Sequence, residues 1–311
     1  MRYFSVEVEE IPLPQAATPR MRRMQVCWRE RPVLDLTQGD FRAYIYPLYS
    51  PAGVPLTAES PVDHPHHNSV VCSADVVVAK LPPLTPDTSS LEEEATYNLY
   101  VNQVFQGRAP GRIWSVGVES REVGPAHLQL VQTLYWQGPE EWGAAAGRRT
   151  LAIETRTIDV YPGATANAID IRSQLRPTEW DLRFGPTRHA YFTVRVAHGL
   201  RPVDGGCLLD SEGRVGDAAI RAQTADWVDM SGPASHGQQA GLTVVPHASL
   251  AGLPWIVVDW GTITVNPFQH RARLIPVGET LDLGLRLLAH DGDAQEADVA
   301  GIYEVFTREG L

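Results

Sequence analysis

The chain reads as a succession of short runs in which apolar and polar side chains alternate, the period of half-buried strands. Tyr3 to Val8, Met24 to Trp28, parts of Phe41 to Tyr49, Ala74 to Ala79 and Tyr97 to Phe105 carry it. So do Arg112 to Glu119, Leu128 to Trp136, Leu151 to Val160, Ala166 to Arg172 and His189 to Val196. Gly241 to Val245, Trp255 to Val265 and Leu281 to Ala289 follow. The 26 glycines and 24 prolines fall mostly between these runs, where they serve turns. One stretch has another period. Val299, Ile302, Tyr303 and Phe306 are spaced as one helical face, which predicts a short C-terminal helix within Asp293 to Arg308.

No strand–helix–strand rhythm is present, so a doubly wound sheet is disfavoured. A dozen or more strands predict an all-β architecture, a large antiparallel sandwich or barrel. Leu81 to Glu94 is Pro-rich, then Ser-rich, then acidic, and reads as a solvated loop rather than a linker. Asp204 to Ala225 reads as a loop-like insertion with one short hairpin. With β runs on both sides of each and no internal repeat, a single domain over 1–311 is expected.

Composition narrows the function classes. The 311 residues hold 26 Lys+Arg against 37 Asp+Glu, a net charge of −11, which argues against holding nucleic acid by bulk charge. No run approaches the roughly 20 apolar residues that span a bilayer. The start lacks the apolar core of a secretory signal, so a cytoplasmic protein is expected. Cys27, Cys72 and Cys207 match no metal or disulfide spacing and read as reduced thiols.

The densest chemistry lies in Glu59 to Asn68, with three histidines and two carboxylates. In an extended chain His64 and His66 project to one face and His67 to the other, and Pro65 favours that conformation. Two imidazoles on one face can form an acid–base pair or supply two metal ligands. The plainer reading is a His-rich surface turn. A metal needs three or four ligands, for which Asp63, Glu154, Asp229 and His247 are the further candidates. Trp227 to Gly241 reads as a polar pocket rim or a Gly-rich connection. His247, Trp255 and Asn266-Pro267-Phe268 set aromatics beside short polar groups, the chemistry of sugar recognition, although tryptophans more often pack in cores. Glu154 and Arg156 share a strand face, where such a pair lines a cavity or faces water, exposure being the simpler account. Nucleophile-elbow, phosphate-loop, dinucleotide, zincin and Cys-x-x-Cys motifs are missing from the sequence.

Together, and in this order, these segments resemble a bacterial family labelled "PmoA family" or "methane oxygenase PmoA", a domain of unknown function. The residues that carry the resemblance are Tyr46 to Gly53, Glu59 to Pro61, Asp63 to His67, Leu151 to Arg156, Arg195, Trp227 to Gly232, Gly241, His247, Trp255 and Asn266 to Phe268. They span about residues 30–290, and the chain departs from the pattern at Asn68 to Val71 and at Trp114. The resemblance implies an association with sugar catabolism. It also implies a β-supersandwich like that of aldose epimerases and galactose mutarotases. It does not imply a membrane methane oxygenase, whose subunit is a bundle of transmembrane helices.

The leading expectation is therefore an enzyme acting on a sugar or keto-sugar derivative, an epimerase, mutarotase or keto-glycoside lyase or hydrolase. His64, His66, Asp63 and His247 would be catalytic. His67, Glu154, Arg156, Arg195, Trp227, Asp229, Trp255 and Asn266 would meet the substrate. A metal-dependent enzyme with His ligands and a noncatalytic carbohydrate-binding module are the alternatives. The expected partner is a small carbohydrate, with neither nucleic acid nor membrane, and the sequence names no cofactor.

Overall fold

Alternation decides which side of each strand meets the core. The strand Leu281–Asp291 sends Leu281, Leu283, Leu285, Leu287 and Ala289 into one hydrophobic cluster and turns Asp282, Arg286, Leu288 and His290 the other way. The structure is a computed structural model that describes residues 3–11, 21–81, 93–140, 147–234 and 237–308. Residues 82–92, most of the acidic loop expected at Leu81 to Glu94, lie outside the described residues.

The first sheet begins with β1 (Phe4–Ile11), β2 (Met21–Trp28), β3 (Arg31–Gln38), β4 (Ala43–Leu48) and β5 (Val70–Ala74) side by side. It continues through β13 (Ala190–Arg195) and β18 (Thr262–Val265) to β17 (Ile256–Val258). A small sheet joins β19 (Arg273–Ile275), β12 (Leu182–Phe184), β6 (Val77–Leu81) and β7 (Glu93–Tyr97) in that order. The second large sheet runs β14 (Cys207–Asp210), β15 (Val228–Pro233), β16 (Gln239–Pro246), β20 (Leu281–Asp291). It then runs β11 (Ala166–Pro177), β10 (Arg148–Tyr161), β9 (His127–Glu140) and β8 (Arg112–Gly124). Each strand pairing is antiparallel.

Val26, Leu34 and Val194 of the first sheet, Leu130, Leu134 and Leu285 of the second, and Leu182 and Phe184 of the small one share a single buried cluster. The sheets therefore face one another across a common core, an all-β antiparallel sandwich. A one-turn helix, α1 (Asp217–Ile220), lies in the expected insertion. The terminal helix, α2 (Val299–Arg308), lays Val299 and Phe306 on Trp227, Val245 and Leu288, the outer side of the second sheet. It starts later than Asp293 because residues 293–298 are spent mostly in turns. Among the described residues no helix is long and apolar enough to cross a membrane.

One expectation is reversed here. Glu154 and Arg156 do not face water; both are buried, since β10 sends them inward with Ile158 and Val160. Arg156 donates to Glu154 through Nε at 2.8 Å and Nη2 at 2.9 Å. Trp136 Nε1 and Ser173 Oγ also donate to that carboxylate, at 2.7 and 2.8 Å. Ser173 Oγ in turn bonds the Tyr191 hydroxyl of the first sheet at 2.8 Å. A buried pair this well satisfied offsets its own desolvation, and removing one partner strands the other. Glu154→Ala is expected to lower the unfolding free energy by about 3–5 kcal/mol in urea titrations, with Glu154→Gln costing less. A midpoint unmoved by Glu154→Ala would show that the pair carries no such burden.

Candidate functional site

The outer side of the first sheet is polar. Thr193 and Arg195 on β13 and Thr262 and Thr264 on β18 alternate with core residues and point away from the core. Two loops cover them. The first is not extended as expected. The His64 amide donates to the Pro61 carbonyl at 3.0 Å and the His67 amide to that of His64 at 2.9 Å, closing two successive turns. Pro65 is the second residue of the latter turn, a place its fixed φ suits. In place of alternating, the three rings gather. Centroids of His64 and His67 are 4.7 Å apart, of His66 and His67 4.7 Å, and of His64 and His66 5.8 Å.

The second loop follows β7, where Tyr97 to Phe105 was expected to be a strand. Buried Asn98 ends it. Its Nδ2 donates to the carbonyls of Val101 and Gln103, and its Oδ1 accepts from the amides of Tyr100 and Val101. The chain turns, and Tyr100 comes to within 3.2 Å of His67 Nε2 through its hydroxyl. Arg42, buried, ties the loops together. It donates to Asn68 Oδ1 at 2.8 Å and the His66 carbonyl at 2.9 Å, and also to the Tyr100 carbonyl and Asn102 Oδ1. Burial pulls its pKa down to about 10, so it stays cationic at neutral pH.

Beneath the loops is a cavity of about 370 Å³, with His64, His66, His67, Tyr100, His189 and Trp260 in its walls. Trp260 stacks on His64 with centroids 4.3 Å apart and planes 10° from parallel. Arg195 lies 4.7 Å from the centroid of the Trp260 ring and gives Nη2 to both Asp63 oxygens at 2.9 and 2.8 Å. Asp63 also meets His64 Nδ1 at 2.9 Å. Burial works against the Asp63 charge, but the bonds from His64 and Arg195 outweigh it and hold the carboxyl well below its usual range.

Burial, then the charges of Arg42, His64 and His189, lower His66 to about 4. Burial, then His66, His64 and Arg195, lower His67 to about 2. Both rings are neutral near pH 7, which makes them proton acceptors there. On the facing wall His189 stacks on Tyr100 at 5.1 Å and meets buried Asp75 through Nδ1 at 2.9 Å.

Sequence reasoning brought His64, His66, His67, Asp63 and Arg195 to this place and missed Arg42, Asp75, Tyr100, His189 and Trp260. Asp75 and His189 are 114 residues apart and leave no local pattern. Trp260, in the turn between β17 and β18, did leave a signal: a large aromatic followed by Gly261 at a hairpin tip. The expected convergence with His247 and Glu154 does not occur. His247 stands on the outer side of the second sheet, 3.4 Å from Asp170 and 5.6 Å from the Phe306 ring. Asp229 is buried there too, accepting from Thr243 at 2.8 Å and paired with His290 at 2.8 Å. Trp227 packs under α2 and Trp255 in the main core, while Asn266 clips the chain to the Thr187 carbonyl at 2.7 Å. His236, in the expected rim, lies outside the described residues. Among the described residues no three His, Cys, Asp or Glu side chains form a group that could hold a metal.

A family model described as a family of unknown function (DUF6807) matches residues 25–304, most of the chain. The chain belongs to that family. The family's description assigns neither the PmoA name nor a tie to sugar catabolism. No curated protein matches the chain. Among solved structures it is similar to a putative aldose 1-epimerase from Klebsiella pneumoniae subsp. pneumoniae MGH 78578, with a TM-score of 0.44 and 10% identity over 98% of this chain and 87% of that one. It is also similar to the α-galactosidase of Lactobacillus brevis, with a TM-score of 0.43 and 7% identity over 88% of this chain. The chain spans 38% of that enzyme's length. A galactose mutarotase related enzyme from Lactobacillus acidophilus gives a TM-score of 0.31 at 8% identity, over 83% of this chain and 95% of that one.

The depressed histidines set a pH dependence of stability. Unfolded, each titrates near 6.5; folded, His66 does so at about 4 and His67 at about 2. Between those values the unfolded chain binds more protons, so stability is lost as pH falls below 6.5. His290 acts in the opposite sense. Burial opposes its charge, but the bond to Asp229 raises its pKa, so its contribution is present below 6.5 and lost as pH rises. The double variant His66→Gln/His67→Gln is expected to flatten the fall in melting temperature between about pH 6.5 and 4.5. An unchanged slope would mean these rings titrate as free histidines do.

Proposed function

We propose that the cavity is the active site of an enzyme that moves protons on a small sugar or keto-sugar derivative. The observation that carries this reading is the gathering of neutral His66 with His64, Trp260 and Tyr100 around one sugar-sized space. The aromatic rings in its walls offer apolar surface to the C–H groups of a sugar, while imidazole nitrogens and hydroxyls answer its hydroxyl groups. His66, uncharged, accepts a proton from the substrate. His64, when both of its ring nitrogens carry a proton, serves as the partner that returns one. Ionised Asp63 accepts from its Nδ1, which fixes the ring and leaves Nε2 to the ligand. Mutarotation, epimerisation and elimination at a keto-sugar all use such a pair of transfers. Arg195 has a positioning role: it holds Asp63 and backs the Trp260 ring. His247, Glu154 and Arg156 have no part in this reading, being on the other sheet.

His66→Gln and His64→Gln, made separately, are each expected to lower kcat by about 100-fold or more, with melting temperatures close to wild type. Turnover is followed by NMR on a panel of sugars and keto-sugars. The acid limb of kcat/KM should fall near the His66 value of about 4, below that of a free imidazole. Full turnover in both variants would remove the proton-transfer reading.

A further inference from the structure

The walls of this cavity carry no carboxylate among the described residues. Its lining is four histidines, aromatic and apolar side chains, two threonines, one glutamine and a single cation, Arg188. That is a marked local bias in a chain with 37 Asp+Glu against 26 Lys+Arg. The charges just behind the walls reinforce it. Arg42 lies buried against the His66 backbone and Arg195 behind Trp260. Two carboxylates that bond to lining residues are already engaged. Asp63 is held by Arg195 and His64, and Asp75 by His189 and Thr187, with Arg108 3.9 Å away.

Arg188 is exposed at this wall and is held at one edge only. Its Nε donates to His189 Nε2 at 3.1 Å, and Asp75 takes the opposite side of that ring at 2.9 Å. The run Asp75–His189–Arg188 thus fixes the root of the guanidinium. Its Nη1 and Nη2 have no hydrogen-bond partner among the described residues. A planar guanidinium with its two outer nitrogens free is shaped to receive a carboxylate or phosphate through paired bonds. The net charge of −11 does not cancel this, because exposed charges farther than a Debye length of about 8 Å are screened.

We propose that the cavity takes an anionic sugar, one bearing a carboxylate or a phosphate, and that Arg188 receives the anionic group. This rests on the reading of the cavity as a carbohydrate site. The test is calorimetry on the full chain at neutral pH with hexoses, hexuronates, hexonates and hexose phosphates in matched gluco, galacto and manno forms. At least one acid is expected to bind about tenfold tighter than its neutral counterpart, the uronate and phosphate arms telling which anion is preferred. Arg188→Gln should remove about tenfold of the acid's affinity while moving the neutral sugar less than about twofold. Arg188 is exposed, and an unchanged melting temperature confirms that the variant folds. Neutral sugars binding as tightly as every acid would overturn this proposal and leave the carbohydrate reading standing. An acid preference that survives Arg188→Gln overturns the role of that residue. Binding of no saccharide of either kind overturns both readings.

Discussion

The guanidinium of Arg42 is the tie on which the cavity depends. A buried cation is costly unless its donors are met. Here they are met by oxygens from two separate loops, the Asn68 side chain and His66 carbonyl on one side, the Tyr100 carbonyl and Asn102 side chain on the other. None of these acceptors is a carboxylate. The bonds therefore fix the loops without cancelling the charge, and that charge is felt next door, where it adds to burial in keeping His66 neutral. One side chain thus contributes to both the shape of the site and its charge.

Much of the architecture was legible because alternation is a local property. It identified the long strands and the apolar stripe of α2, where burial on one face leaves a regular trace. It failed where strands are short, as in β12 and β19, or open with a proline, as Arg31-Pro32 does in β3. Trp227 to Gly241 was read as a loop or rim, yet it holds β15 and the start of β16. Gly237 sits in the turn between them with φ +73°, but Gly232 and Gly241 mark close approach. A Cβ on Gly232 would sit 2.2 Å from the Gly199 carbonyl oxygen, and one on Gly241 2.3 Å from the His290 ring.

The site was legible only in part, and for a different reason. Asp63 to His67 announced itself by composition, but its conformation did not, since Pro65 suits a turn as well as an extended chain. Whether a charged residue such as Glu154 faces the core or the cavity depends on the parity of its strand and the sheet that strand joins. His247 was misplaced on the same account. Pairs such as Asp75 with His189, or Arg42 with Tyr100, exist only once β5 has paired with β13 and with β4.

The walls of the cavity come from four stretches, around 64–67, 100–105, 188–189 and 256–264, and no one of them encloses anything alone. A ligand held there touches the two covering loops, the approach to β13 and the strands β17 and β18 at once. Its binding free energy is therefore linked to unfolding of the entire body in place of the fraying of one loop. Occupancy and global stability become a single equilibrium, so a substitution deep in the core, far from the histidines, can starve the site by thinning the folded population.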